Sequence, residues 1–399
     1  MFQMEITRKI EELKDEMVDS LKRFISINSV NPVFGGPGEK EKADWLEELL
    51  KKMGYTVERH DTKDQNGIWR SNLLAIIPGR DRSKTLWIVT HIDTVPPGDL
   101  SLWETDPFIP VVKDDRVYGR GAEDNGGSMI ASIYAGKALM ELDVVPEYNF
   151  GLALVADEEA GSEYGIQYLI EKGVFRPDDM FLVPDAGNKK GDFIEIAEKS
   201  ILWFKVTVNG KQGHASRPKT TENALRKGAQ IITELDETLH RKFSEKDELF
   251  DEPLSTFEPT RSEKTVDNVN TVPGRFVFYF DCRVLPRYDL EDVLSTVKSV
   301  LDGRGAELEV VVKQPAPDPT PADSDLVVKL SSVLKSLRNL EVRVGGIGGG
   351  TCAAFFRKKG WPAVVWSTIE ETAHQPNEYR KISHMVEDAK VFALLGVER

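Results

Sequence analysis

His91 and Asp93 stand one residue apart at the polar end of an apolar run, Leu86-Trp87-Ile88-Val89. A strand ending there fixes the imidazole. A carboxylate two residues on can accept the second ring N–H and raise its basicity, as metal ligation requires. An isolated His-x-Asp is more often a strand running into an ordinary polar turn. The rest of the chain changes the reading, because Asp124, Glu158, Glu159, Asp185 and His374 each lie beside an apolar run or a glycine-rich turn. Asp124 sits among Gly121, Gly126 and Gly127, just before a helix predicted over 128–141. Glycine permits a backbone that a β-carbon forbids, which suits a tight loop presenting Asp124 at a helix N-terminus. Asp157-Glu158-Glu159 follows the apolar run 149–156, and Asp185 follows 181–184. Adjacent carboxylates repel one another unless a cation neutralises them. Each feature alone reads equally as a solvated acidic turn or a capped helix; their convergence is the signal.

Two histidines and several carboxylates suit Zn²⁺, Co²⁺ or Mn²⁺ rather than a thiolate-loving metal. Five ligands shared between two metals require one ligand to bridge. A further carboxylate would serve as general base on a metal-bound water.

The elements that must position these residues follow from periodicity. Ile6, Ile10, Leu13, Met17, Leu21 and Phe24 recur every three or four positions, predicting one amphipathic helix. A second helix runs from about Glu39 to Met53 and stops at Gly54. Strands are expected over 55–60, 72–77, 86–89, 149–156 and 181–184. This alternation indicates an α/β domain, and open α/β sheets gather ligands at the carboxyl ends of strands. After Ala197 the pattern changes to strand (200–208), a turn holding His214, helix (221–243), strand (275–284), helix (290–301) and strand (306–312). Two strand–helix–strand units predict a small α+β sandwich inserted in the first domain. The Pro-rich segment 314–321 is the expected return linker. Then come a helix (326–337), the glycine loop 345–350 ending at Thr351, a strand (362–366), the His374 loop and a closing helix from about Ser383. The expected fold is therefore α/β: a split catalytic domain, 1–197 and 314–399, with a mixed, mostly parallel sheet flanked by helices. An α+β sandwich, 198–313, would act as lid and dimerisation domain.

At 399 residues the chain is too long for one small core. A net charge of −14 argues against nucleic acid and anionic membranes as partners. The two cysteines, Cys282 and Cys352, cannot build a disulfide framework, which fits a reducing, cytoplasmic setting. No apolar run is long enough to span a bilayer.

In this order (His-x-Asp, Asp, Glu-Glu, Asp, His) the sequence resembles the aminoacylase/carboxypeptidase family of di-zinc metallopeptidases over nearly its whole length. That family includes succinyl-diaminopimelate desuccinylase, acetylornithine deacetylase and glutamate carboxypeptidases. The resemblance implies that His91 and Asp185 bind one metal, Glu159 and His374 the other, and Asp124 bridges them. It implies a cis Asp124–Asn125 bond, Asp93 holding His91, and Glu158 as general base. His214 matches a lid histidine that stabilises the oxyanion. Arg283, Gly349, Gly350 and Thr351 match the part that grips a substrate carboxylate, and Asn270 an asparagine near the site. Gly126 and Cys352 depart from the commonest family pattern, which bears on substrate more than on chemistry. The implied activity is amide hydrolysis of an N-acyl amino acid, of desuccinylase or deacetylase type, by a hydroxide bridging the two metals. Carboxypeptidase or dipeptidase action on short peptides is the alternative. An aminopeptidase or a non-enzymatic binding protein stands further off. The expected partners are a small substrate with a free carboxylate and a second copy of the chain, as a homodimer.

Overall fold

The structure, a computed structural model, describes residues 2–398. The chain forms two compact units, Met1–Ile196 with Thr320–Val344 and Thr351–Arg399, and Ala197–Pro319 with Gly345–Gly350.

The first unit is built on a sheet of eight strands. Their order is Thr56–Lys63, Trp69–Ile77, Tyr148–Val155, Asp81–His91, Met180–Val183, Ala363–Val365, Phe193–Glu198 and Arg343–Ile347. The middle four strands are parallel to one another, while Trp69–Ile77 pairs antiparallel with both its neighbours and Phe193–Glu198 antiparallel with Ala363–Val365. Parallel strands buried on both faces read as unbroken apolar runs. Leu86, Trp87, Ile88 and Val89 are accordingly all buried, as are Leu152, Leu154, Phe181 and Leu182. Because these strands run the same way, their carboxyl ends share one edge. His91 pairs with Val155 there, so His91, the Asp157–Glu159 turn and Asp185 are delivered side by side.

Two helices, Gly127–Glu141 and Ile382–Val397, are buried along most of their length, as helices apolar on every face must be. The expected single N-terminal helix is two, Phe2–Glu12 and Lys14–Ser26. The break is slight: Leu13 N–H still reaches the Lys9 and Ile10 carbonyls at 3.2 and 3.1 Å, and the apolar stripe from Ile6 to Phe24 stays buried through it.

The second unit carries a four-stranded antiparallel sheet in the order Thr256–Ser262, Arg275–Val284, Ser200–Asn209, Ala306–Gln314. Helices Ala224–Lys242 and Leu290–Leu301 pack on it around Phe204 and Phe280, stacked at 5.1 Å. Strand Thr256–Ser262 escapes the sequence reading because Pro259 and its polar neighbours hide it. The glycine loop, expected in the catalytic segment, clusters instead with the second unit. There Lys199 N–H donates to the Ile347 carbonyl at 3.1 Å and Arg283 Nη1 to the Gly348 carbonyl at 3.1 Å. Among the described residues, no helix is long and apolar enough to cross a membrane.

Candidate metal centre

Asp124 lies between two histidines. Its Oδ1 is 2.9 Å from His91 Nε2 and its Oδ2 is 3.1 Å from His374 Nε2. His374 Nε2 is also 3.1 Å from Glu159 Oε2, and His91 Nε2 is 3.4 Å from Asp185 Oδ1. Two ligand sets thus share one carboxylate, each using a different oxygen. All of these residues belong to the first unit. Asp124 is not at a strand end. It sits in a kinked turn, Ala122–Gly126, immediately before helix Gly127–Glu141, and the Asp124–Asn125 peptide bond is cis. Asn125 ties that turn to the strand edge: its Oδ1 accepts His91 N–H at 3.3 Å and its Nδ2 donates to the Pro184 carbonyl at 2.9 Å.

Asp93 meets His91 through both its main chain and its side chain. His91 Nδ1 lies 2.9 Å from the Asp93 backbone carbonyl and 3.5 Å from its carboxylate. The carboxylate has further partners. It accepts the backbone N–H of Glu158 and of Glu159, both at 3.1 Å, and Asn31 Nδ2 at 2.8 Å. Asp93 therefore holds His91 through its main chain, with its carboxylate close behind, and that carboxylate also shapes the acidic pair. Behind it, Asn31 also donates to Asp157, and Arg70 joins Asp157 to Glu39. Sequence reasoning missed Asn31, Glu39 and Arg70.

The donor set fits divalent metals. A carbonyl oxygen only accepts, so His91 Nδ1 carries the proton, and the lone pair of a neutral ring sits on Nε2. That lone pair faces the oxygens of Asp124 and Asp185, an arrangement of acceptors that calls for a cation between them. Asp185 Oδ1 and Glu159 Oε1 are buried without a hydrogen-bond partner among the described residues. Charges answer in the same sense. Burial alone would lower the His91 pKa, but Asp185 and Asp124 drive it well above the usual value. Burial and repulsion from Asp185 raise Glu158 well above the carboxylate range, and burial with Asp124 pushes Glu159 up to about 8. Hydrogen bonds to Asp124 and Glu159 lift His374 to about 10. Glu158 Oε2 lies 3.9 Å from His91 Nε2, and among the described residues the groups tight enough for an ion are His91–Asp124–Glu159 and His91–Glu158–Asp185. Distance alone therefore places Glu158 within ligand reach too.

The remaining expected site residues belong to the second unit, apart from Thr351, which begins the return to the first. His214 pairs with Thr271 in a two-residue ladder, and Asn270 accepts Ala215 N–H through its carbonyl at 2.9 Å. Arg283 is held bidentately by Asp281 at 2.6 and 3.0 Å while reaching Gly348, which leaves two of its five N–H donors. Gly349 and Gly350 continue that loop.

A family model described as peptidase family M20/M25/M40 matches residues 87–396. The chain belongs to this family. An M20-type chain accounts for the fold. Human carnosine dipeptidase 1 superposes with a TM-score of 0.78 at 17% identity, covering 100% of this chain and 98% of that one. An uncharacterized metallohydrolase of Methanocaldococcus jannaschii is 41% identical over 96% of this chain and 98% of its own length. Succinyl-diaminopimelate desuccinylase 2 of Shewanella loihica is 27% identical, over 88% of this chain and 93% of its own. This M20 chain is thus a metallohydrolase acting on amide bonds.

Proposed function

We propose that the chain removes the acyl group from N-acyl amino acids, as a desuccinylase or deacetylase, using two divalent metals, zinc foremost, with Glu158 as general base. The observation carrying this reading is the Asp124 carboxylate shared between two imidazoles, with Glu158 beside them. His91, Asp124 and Asp185 would hold one metal, and His374, Asp124 and Glu159 the other. When bound, the metals supply Lewis-acid polarisation of the amide carbonyl and an activated water. Glu158, anchored by the Asp93 bond to its N–H, takes the water's proton and returns it to the leaving nitrogen. His214 Nδ1 accepts the Ser216 backbone N–H at 3.1 Å, and that group can only donate. A neutral ring therefore carries its proton on Nε2 and offers it to an oxyanion, a contribution of roughly 3–4 kcal/mol for one such donor. The two N–H groups that Arg283 retains are available to a substrate carboxylate, together with the Gly349–Thr351 loop. The similarity to the Shewanella succinyl-diaminopimelate desuccinylase supports the acyl class.

Turnover of N-succinyl amino acids, N-acetyl amino acids and dipeptides, with Zn²⁺, Co²⁺ and Mn²⁺ supplied separately, tests the reading. Acyl amino acids should be cleaved fastest, and their methyl esters poorly. Preference for dipeptides would shift the assignment to a dipeptidase or carboxypeptidase. Cleavage only of substrates with a free amine would make it an aminopeptidase.

The same reading makes the active species a homodimer with His214 acting on the partner's site. Of the two edges of the second unit's sheet, Thr256–Ser262 is interrupted by Pro259, which has no N–H to pair. The other edge, Ala306–Gln314, exposes Val310 and Val311 and has no second neighbour among the described residues. Pairing that edge with its copy closes a two-fold dimer. Co-expressed Glu158→Ala and His214→Ala chains, each inactive alone, should then recover roughly a quarter of wild-type activity, since half the dimers are mixed and half their sites are whole. Background activity, with mixed dimers confirmed by mass, would put His214 on its own chain's site.

A further inference from the structure

Two loops of the first unit are locked together by carboxylates that touch neither imidazole. Glu378 is fully buried. Its Oε2 accepts Arg120 Nη1 at 2.6 Å and Gly121 N–H at 3.0 Å, and its Oε1 accepts the N–H groups of Glu123 and Asp124, both at 2.9 Å. Glu123 answers in the opposite direction. Its Oε1 accepts Glu370 N–H at 2.6 Å, and its Oε2 accepts Thr372 N–H at 2.6 Å and Thr372 Oγ1 at 2.8 Å. The loop that carries Asp124 and the loop that carries His374 each donate backbone hydrogen bonds to a carboxylate from the other.

The His374 loop needs such a hold. Glu371, His374 and Asn377 adopt φ of 61°, 61° and 58°, a left-handed conformation that non-glycine residues take at a cost. Among the described residues, no sheet ladder fixes His374 itself, whereas His91 ends a strand paired on both sides. The two halves of the centre are therefore held by different means: a parallel sheet under His91 and Asp185, and a pair of carboxylate clasps between Asp124 and His374.

We propose that Glu123 and Glu378 are reciprocal positioning residues that fix the span from Asp124 to His374, and so set the affinity for the second metal more than that for the first, where sheet-held His91 and Asp185 accompany Asp124. This rests on the two-metal reading above. Charge and shape both matter to it. In Glu378→Gln an amide NH₂ must face backbone or guanidinium N–H donors that now meet an oxygen. Outer-shell partners of metal ligands typically contribute about 10–100-fold in metal affinity.

The test uses the full-length apoprotein and metal alone. Co²⁺ is titrated by calorimetry, and bound metal is counted by elemental analysis. E378Q and E123Q should each bind a first equivalent with near wild-type affinity and a second at least about 10-fold more weakly, with E378D restoring part of the loss. Thr372→Val removes one of the bonds to Glu123, together with the hydroxyl's contacts to the Tyr379 main chain, and should weaken the second step by a smaller factor. If either glutamate variant fails to fold, Thr372→Val still decides the matter by that second step. An unchanged second step in the variants that fold, or equal weakening of both steps, overturns the proposal. Wild-type chain that binds two equivalents but hydrolyses no acyl amino acid defeats the substrate reading alone. Wild-type chain that binds a single equivalent defeats both.

Discussion

Glu158→Gln should lower kcat by at least about 10²–10⁴-fold while bound metal stays near two equivalents. The substitution keeps the side chain's shape and the backbone N–H bond to Asp93 and removes only the group that can take a proton. In the metal-free centre, burial and repulsion from Asp185 raise the Glu158 pKa, so bound cations are needed to free this carboxylate to take a proton. Glu159→Gln is the control. Its Oε2 faces His374 Nε2 at 3.1 Å, so that variant should lose metal as well as rate. Because Glu158 also lies within ligand reach, metal content separates the two roles. Near-normal turnover in Glu158→Gln would remove it as the base and leave Asp157 as the candidate.

Stripping the metals should reduce hydrolysis to background, and Zn²⁺ or Co²⁺ should restore it. Without a cation, the carboxylates of Asp124, Glu158, Glu159 and Asp185 crowd two imidazoles with no activated water among them. In that state Glu159, pushed up to about 8, and His374, at about 10, both hold protons at pH 7. A metal must displace those protons, so loading should weaken as pH falls. Active protein found by elemental analysis to contain no transition metal would refute the metal requirement.

The strand-borne part of the centre was legible because its signals are local. An apolar run that turns polar at His91, Glu158 or Asp185 marks the end of a buried strand, and parallel strands bring such ends together. The glycines around Asp124 announced a tight loop by the same logic. What stayed hidden depends on contacts across long separations. Glu378 lies four residues after His374, but its partners are Arg120 to Asp124, more than 250 positions earlier, and no spacing encodes that. Asp93 was legible as a support for His91 because the sequence places the two together, but the other partners of its carboxylate were not. The backbone N–H groups that claim this carboxylate come from a turn distant in sequence. The three-residue strands Val111–Lys113, Arg116–Tyr118 and Tyr379–Lys381 are too short to show any period, and they join the segments flanking Asp124 and His374.

Strand Ala363–Val365 lies between Met180–Val183 and Phe193–Glu198 in the central sheet. On the ribosome, its two neighbours are complete long before it is made. At about 5–20 residues per second, the gap lasts roughly 10–30 s. Throughout that interval Phe181, Leu182 and Ile194 belong to strands facing a missing neighbour, and an open apolar edge recruits strands from other nascent chains. Slowed translation between these segments should therefore lower the yield of folded protein, and a chaperone that covers sheet edges should recover it.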